Sequence, residues 1–229
     1  MTRPRPGPTL PEELLLLALD PQRGRPYCRT RFLEYAMAGA ALAELEIQGR
    51  VTGERGYVRV ANPLDPPDPL LAALMRSLPP PGKDRLRSGV TARSWVRRAG
   101  RTAQEMYVAA LVRRGVLLRE TRRFLGLLPY HRHPAGPQSY AGAVRERFAA
   151  AERAGFPDHR SRALAALVSA AGLDPHVSGG ERRARPAMRA LVRELWPAYA
   201  VYRNVRQDMS DQTGKWSAGQ AGSVTSRDS

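Results

Sequence analysis

The chain has 229 residues, 42% of them hydrophobic, which is enough to bury a substantial core and points to one domain rather than several. Its 37 basic and 21 acidic residues give a formal charge of +16, so the natural partners are polyanions: nucleic acid, an anionic bilayer or an acidic protein. Cys28 is the only cysteine, which excludes a disulfide framework and fits a reducing compartment, while the apolar run 14–19 is too short to span a bilayer. Glu12 and Glu13 stand where a signal peptide would carry positive charge, so any membrane contact is expected at the surface.

In chain order, the Pro/Arg-rich segment 1–8 predicts a loose N-terminus. Thr9-Leu10-Pro11-Glu12 then has the form of a capping box, opening a helix to about Leu19. A second helix, over 30–48, is apolar around much of its circumference, through Phe32, Tyr35, Met37, Leu42, Leu45 and Ile47, and is expected at the centre. Gly53 and Gly56 divide 51–60 into a β-hairpin.

A turn-rich link leads to a short helix over 70–78, and Pro79-Pro80-Pro81-Gly82 marks an exposed loop. Thr91 can cap a segment carrying Trp95 and Val96. The helix after it places Ala103, Met106, Tyr107, Ala110 and Leu111 on one face. Gly115 stops that helix. Val116-Leu117-Leu118 and 124–128 are expected to pair as a second hairpin, with the charged Arg119–Arg123 stretch between them.

Helices over 139–154, 158–171 and 186–208 complete the domain, the last kinked or restarted at Pro197, with a mobile linker at 174–186. The expected layout is therefore a disordered 1–8, a helical domain 9–209 and a disordered polar tail 210–229. The fold class is mainly α: a compact single-domain helical bundle with two β-hairpins.

No nucleophile–base pair, phosphate-cradling glycine loop or HExxH helix is present, so neither an enzyme nor a cofactor is expected. His131 and His133 lack acidic or thiol neighbours in sequence and are expected in a solvated loop rather than around a metal. Arginines are more prominent. Arg93, Arg97 and Arg101 follow one another at steps of four with Arg98 beside them, and Arg29 and Arg31 precede the central helix; such forks suit a lipid headgroup or a nucleic-acid backbone. Arg122-Arg123-Phe124-Leu125, expected at the tip of the second hairpin, joins cations to apolar groups in a way that suits a lipid interface.

The order Thr9-Leu10-Pro11-Glu12-Glu13-Leu14, then Ala38-Gly39-Ala40, Ala43-Glu44-Leu45 and Gly49-Arg50-Val51, resembles the opening of the Golgi phosphoprotein 3 family. Leu111-Val112, Arg114-Gly115-Val116-Leu117 and Phe124-Leu125 resemble its helix-turn-hairpin, so the likeness spans roughly 8–208. Abundant arginine and alanine beside two lysines, Lys83 and Lys215, is the composition of a bacterial, specifically actinobacterial, member.

The resemblance implies a cytoplasmic, peripherally membrane-associated, non-enzymatic adaptor. Eukaryotic members of the family read phosphatidylinositol 4-phosphate, grip membrane-protein tails and use the second hairpin for membrane insertion and self-association. Their headgroup positions fall on Arg29, Ala38, Arg101 and Gln104, of which only Arg101 keeps the family residue. The expected lipid surface is thus the less selective set Arg29, Arg31, Arg97, Arg98 and Arg101, with Arg122, Arg123, Phe124 and Leu125 as the membrane or oligomer hairpin.

A competing reading is a winged-helix DNA-binding regulator, since a helix ending in Arg113-Arg114-Gly115 before a hairpin is also how a recognition helix passes into its wing. Against it, that helix spends its best positions on Met106, Tyr107, Ala110 and Leu111, so nucleic acid ranks below anionic lipid as a partner.

Overall fold

A computed structural model describes residues 7–80, 90–124, 128–178 and 184–221, and among them the chain is mainly helical. α1 (Leu10–Ala18) opens on the expected capping box, the Thr9 amide donating to the Glu12 carboxylate at 3.1 Å. All nine of its residues are buried, including Glu12 and Glu13. Such burial requires each carboxylate to be paired. Arg114 meets Glu12, while Arg147 and Arg160 meet Glu13 at 3.0 and 3.1 Å.

α2 (Thr30–Ile47) is the central element the all-round apolar pattern predicts, and it packs against α1, α4 (Ala92–Arg113), α6 (His159–Ala170) and α9 (Trp196–Ala221). Glu44, on α2, is buried and accepts from the Leu10 amide at 2.7 Å and from Arg160 at 2.8 Å, tying α1, α2 and α6 into one polar knot. β1 (Val51–Glu54) and β2 (Tyr57–Val60) form the first hairpin, joined at its edge by β3 (Val90–Thr91), a third strand the sequence reading did not anticipate. α3 (Pro69–Arg76) is capped by the Asp68 carboxylate.

Thr91 caps α4 as expected, accepting from the Ser94 amide at 3.2 Å. α4 then runs through Gly100 without a break, so the two segments read from sequence form one helix of 22 residues. Tyr107 and Leu111 are fully buried.

The second hairpin differs from its expected register. Gly115 ends α4 at φ +69°, a backbone conformation that costs glycine least. Val116 and Leu117 then drop into the core at 3% exposure instead of starting a strand. An isolated bridge pairs Leu117 with Ala135, and the continuous ladder runs between β4 (Glu120–Phe124) and β5 (Leu128–Arg132). Arg122 and Arg123 thus lie within β4, opposite Tyr130 and Pro129, rather than at the tip, and His131 is on β5, not in a loop. Leu125 lies outside the described residues.

α5 (Ala141–Arg153), α6, α7 (Asp174–Val177), α8 (Ala184–Glu194) and α9 follow. α7 and the first turn of α8 occupy the ends of the expected linker, of which 179–183 lie outside the described residues. The break between α8 and α9 falls at Leu195, two residues before Pro197, as a proline inside a helical pattern dictates. α9 continues to Ala221, so 210–221 extend a helix rather than form an unstructured tail. Gln207 donating to Asp211 at 2.6 Å and Arg29 donating to Gln212 support that continuation. Residues 1–6 and 222–229 of the expected loose ends lie outside the described residues.

Candidate functional site

Three of the five arginines expected to form a lipid surface, Arg29, Arg31 and Arg97, meet where the start of α2, the N-terminal half of α4 and the later turns of α9 converge. Arg31 and Arg97 both reach Asp208, each at 3.8 Å, across from α9. Arg31 also donates to the Tyr35 hydroxyl at 2.8 Å and pairs with Glu34 at 3.3 Å; the Tyr35 hydroxyl in turn donates to Asp208 at 2.9 Å. The Tyr35 bond holds the Arg31 guanidinium above its ordinary value, and burial raises the Tyr35 phenol. Arg29 stands at the N-cap of α2, bonded to Gln212 and lying over the Phe32 ring at 5.6 Å. Arg98, one residue on from Arg97, is exposed and makes no ion pair among the described residues.

The patch is therefore partly neutralised from within. Asp208 and Glu34 offset Arg31 and Arg97, and Glu105 pairs with Arg101 at 2.8 Å. Glu34 and Glu105 follow Arg31 and Arg101 at helical spacing and are legible in the sequence, whereas Asp208, on α9, is far from both Arg31 and Arg97 along the chain.

A cleft of about 530 Å³ opens beside this patch, between the exposed face of α4 and the second hairpin. Residues 98, 101, 105, 109 and 112 recur at helical spacing, so the cleft floor of Glu105, Val108, Ala109 and Val112 continues the face that bears Arg98 and Arg101. Arg113, Arg119, His131 and His133 complete its wall. Arg119 donates to Nε2 of His131 at 2.9 Å, which leaves the proton of a neutral ring on Nδ1, facing the Thr121 hydroxyl at 3.3 Å. Burial, with the Arg119 guanidinium nearby, holds His133 below the usual imidazole range. The Gln104 side-chain oxygen is buried with no partner.

The cleft thus combines an apolar floor with two arginines and two histidines, and its one carboxylate, Glu105, is already bonded to Arg101. That is the donor set for an anion carried on an apolar stem. Sequence reading placed His131 and His133 apart from any site; the available signal was the run of small and apolar residues at 108, 109 and 112 on the outward side of α4. No group of three potential metal-ligating side chains occurs among the described residues.

The remaining predicted residues lie elsewhere. Arg122 is exposed on β4 and pairs with Glu120 at 3.1 Å. Ala38, one of the headgroup positions implied by the family likeness, is fully buried in α2 and reaches no surface. Cys28 is half-buried, and burial pushes its thiol up to about 12.

The model of the Golgi phosphoprotein 3 family matches residues 10–207, from the first turn of α1 to the turn of α9 that carries Asp208's neighbours. The chain belongs to this family. The match encloses the five arginines, the cleft and the second hairpin, while Asp208 and Gln212, which partner the arginines from α9, lie just beyond it. No curated protein matches the chain. No helix among the described residues is long and apolar enough to cross a membrane.

Proposed function

We propose that the protein is a peripheral membrane adaptor that binds anionic phospholipid headgroups along the exposed face of α4, from Arg98 and Arg101 into the cleft closed by Arg113, Arg119, His131 and His133. The observation that carries this reading is the continuity of that face: cations free or thinly paired at one end, and an amphiphile-sized cleft with an unpartnered buried amide oxygen at the other. Each arginine near an anionic surface contributes about 1 kcal/mol, so three or four of them suffice for reversible, salt-sensitive docking. The apolar cleft floor favours a headgroup with part of its stem over free phosphate.

Co-sedimentation tests it with neutral vesicles, phosphatidylserine vesicles and vesicles carrying phosphatidylinositol 4-phosphate, at two salt concentrations. The wild-type chain is expected to pellet with anionic vesicles at low salt, and Arg97→Glu, Arg98→Glu, Arg101→Glu in one variant to abolish this. Glu105→Gln, which unmasks Arg101, is expected to strengthen binding up to about fivefold, one charge's worth. Equal binding to neutral vesicles, or none to any vesicle, defeats the proposal. A phosphoinositide preference lost with Arg119→Glu would place the headgroup in the cleft.

A further inference from the structure

α9 carries a second cationic surface that the arginine patch does not use. Its inner side packs through Val201, Asn204 and Val205, all buried, and Asn204 donates to the Arg93 carbonyl at 3.0 Å. On the outward side Tyr199, Tyr202, Arg203 and Arg206 recur at steps of three and four, so they form one stripe along the helix.

The stripe is ordered by its own contacts. The Tyr199 and Tyr202 rings stack with centroids 6.3 Å apart and planes 29° from parallel. Arg203 lies 6.0 Å over the Tyr199 ring and Arg206 5.8 Å over the Tyr202 ring, and Arg206 also donates to the Tyr202 hydroxyl at 3.2 Å. Neither arginine forms an ion pair among the described residues. The carboxylates of α9 are committed elsewhere, Asp208 to Arg31 and Arg97, and Asp211 to the amide of Gln207.

Two guanidinium forks pinned on rigid rings, with no carboxylate of their own, are an interface prepared in advance. Arginine and tyrosine dominate the energetics of protein interfaces, and side chains already held in place lose less entropy on binding. The geometry points to an acidic segment of another protein as the occupant, its carboxylates accepting from Arg203 and Arg206 and its apolar side chains lying along the exposed flank of Tyr199.

Two other polyanions fit less well. Single-stranded nucleic acid would stack bases on the rings, but the Tyr199 and Tyr202 faces are already occupied by each other and by the two guanidinium groups. An anionic bilayer would gain only about 2 kcal/mol from two arginines, too little to dock on this stripe alone.

The test is fluorescence anisotropy on the full chain with three fluorescein-labelled probes: a peptide of glutamates interleaved with phenylalanine, its lysine counterpart, and oligo(dT). The acidic peptide alone is expected to bind. Arg203→Glu with Arg206→Glu should weaken it at least about tenfold, and Tyr199→Ala with Tyr202→Ala about threefold or more, as for central interface side chains. Circular dichroism melts establish that both variants remain folded, and Arg203→Gln with Arg206→Gln provides a milder replacement should the charge reversal unfold the chain.

The Arg97→Glu, Arg98→Glu, Arg101→Glu variant should keep acidic-peptide binding within about twofold, since it lies on a different surface. Loss in that variant equal to the loss in the α9 variant would show generic charge attraction and overturn the inference. So would preference for oligo(dT), no binding of the acidic peptide, or binding indifferent to Arg203 and Arg206.

Discussion

Replacing Gly100 by alanine tests both the fold and the site, because its expected sign opposes the ordinary rule for helices. Inside a helix, Gly→Ala normally stabilises by about 1 kcal/mol. At Gly100, however, α4 approaches α2 so closely that an added Cβ would sit 2.8 Å from the Glu34 carbonyl oxygen and 2.9 Å from its carbonyl carbon. Both are backbone atoms of α2 and cannot rotate away. Relieving the clash requires the two helices to part by roughly half an ångström, at an overpacking cost of about 1–3 kcal/mol. Taking 3 kcal/mol, the upper end, because backbone meets backbone, and subtracting the propensity gain leaves a net loss of about 2 kcal/mol, or a Tm lower by about 4–8 °C for a domain of this size.

Gly142→Ala is the control. Gly142 lies in the first turn of α5, and nothing stands within 4 Å of the added carbon, so a gain of about 0.5 kcal/mol is expected. Urea denaturation followed by circular dichroism measures both. A Gly100→Ala variant as stable as wild type or more so would refute the close α2–α4 contact. It would also remove the reason for Arg97 and Arg101 standing beside Glu34 and Asp208.

Two other outcomes follow from buried charge. Arg160 joins Glu13 and Glu44, and both carboxylates are at least 90% buried. Arg160→Met is therefore expected to cost about 2–3 kcal/mol, below the full range for a broken buried pair because the Leu10 amide, Gln48 and Arg147 remain as partners. Adding Glu44→Gln should recover part of that loss in a double-mutant cycle, and strict additivity would mean that the two do not interact. Burial holds His133 below its ordinary value of 6.5, so as the pH falls the unfolded chain takes up this proton before the folded one does. Its contribution to stability is full above the unfolded value and declines as the pH drops below about 6.5. A His133→Gln variant should show a flatter stability profile between about pH 7 and 5.

The sequence by itself determined the helical class, the central place of α2 and the family. Apolar residues at 3.6-residue spacing, the caps at Thr9 and Thr91 and the stops at Gly49, Gly115 and Pro197 are local signals, each legible within a turn or two of chain. It also marked Arg97, Arg98 and Arg101 as one cluster, because helical spacing alone places them together. It misjudged the second hairpin, where the buried Leu117 bridges Ala135 instead of 124–128 and the continuous ladder lies at 120–124 against 128–132. Only the tertiary structure decided which cations are available: Asp208 arrives from α9 to neutralise Arg31 and Arg97, and β5 brings His131 and His133 over α4 to make the cleft. Charge state and concavity depend on contacts between residues far apart in the chain, and no local pattern records those contacts until the helices have packed.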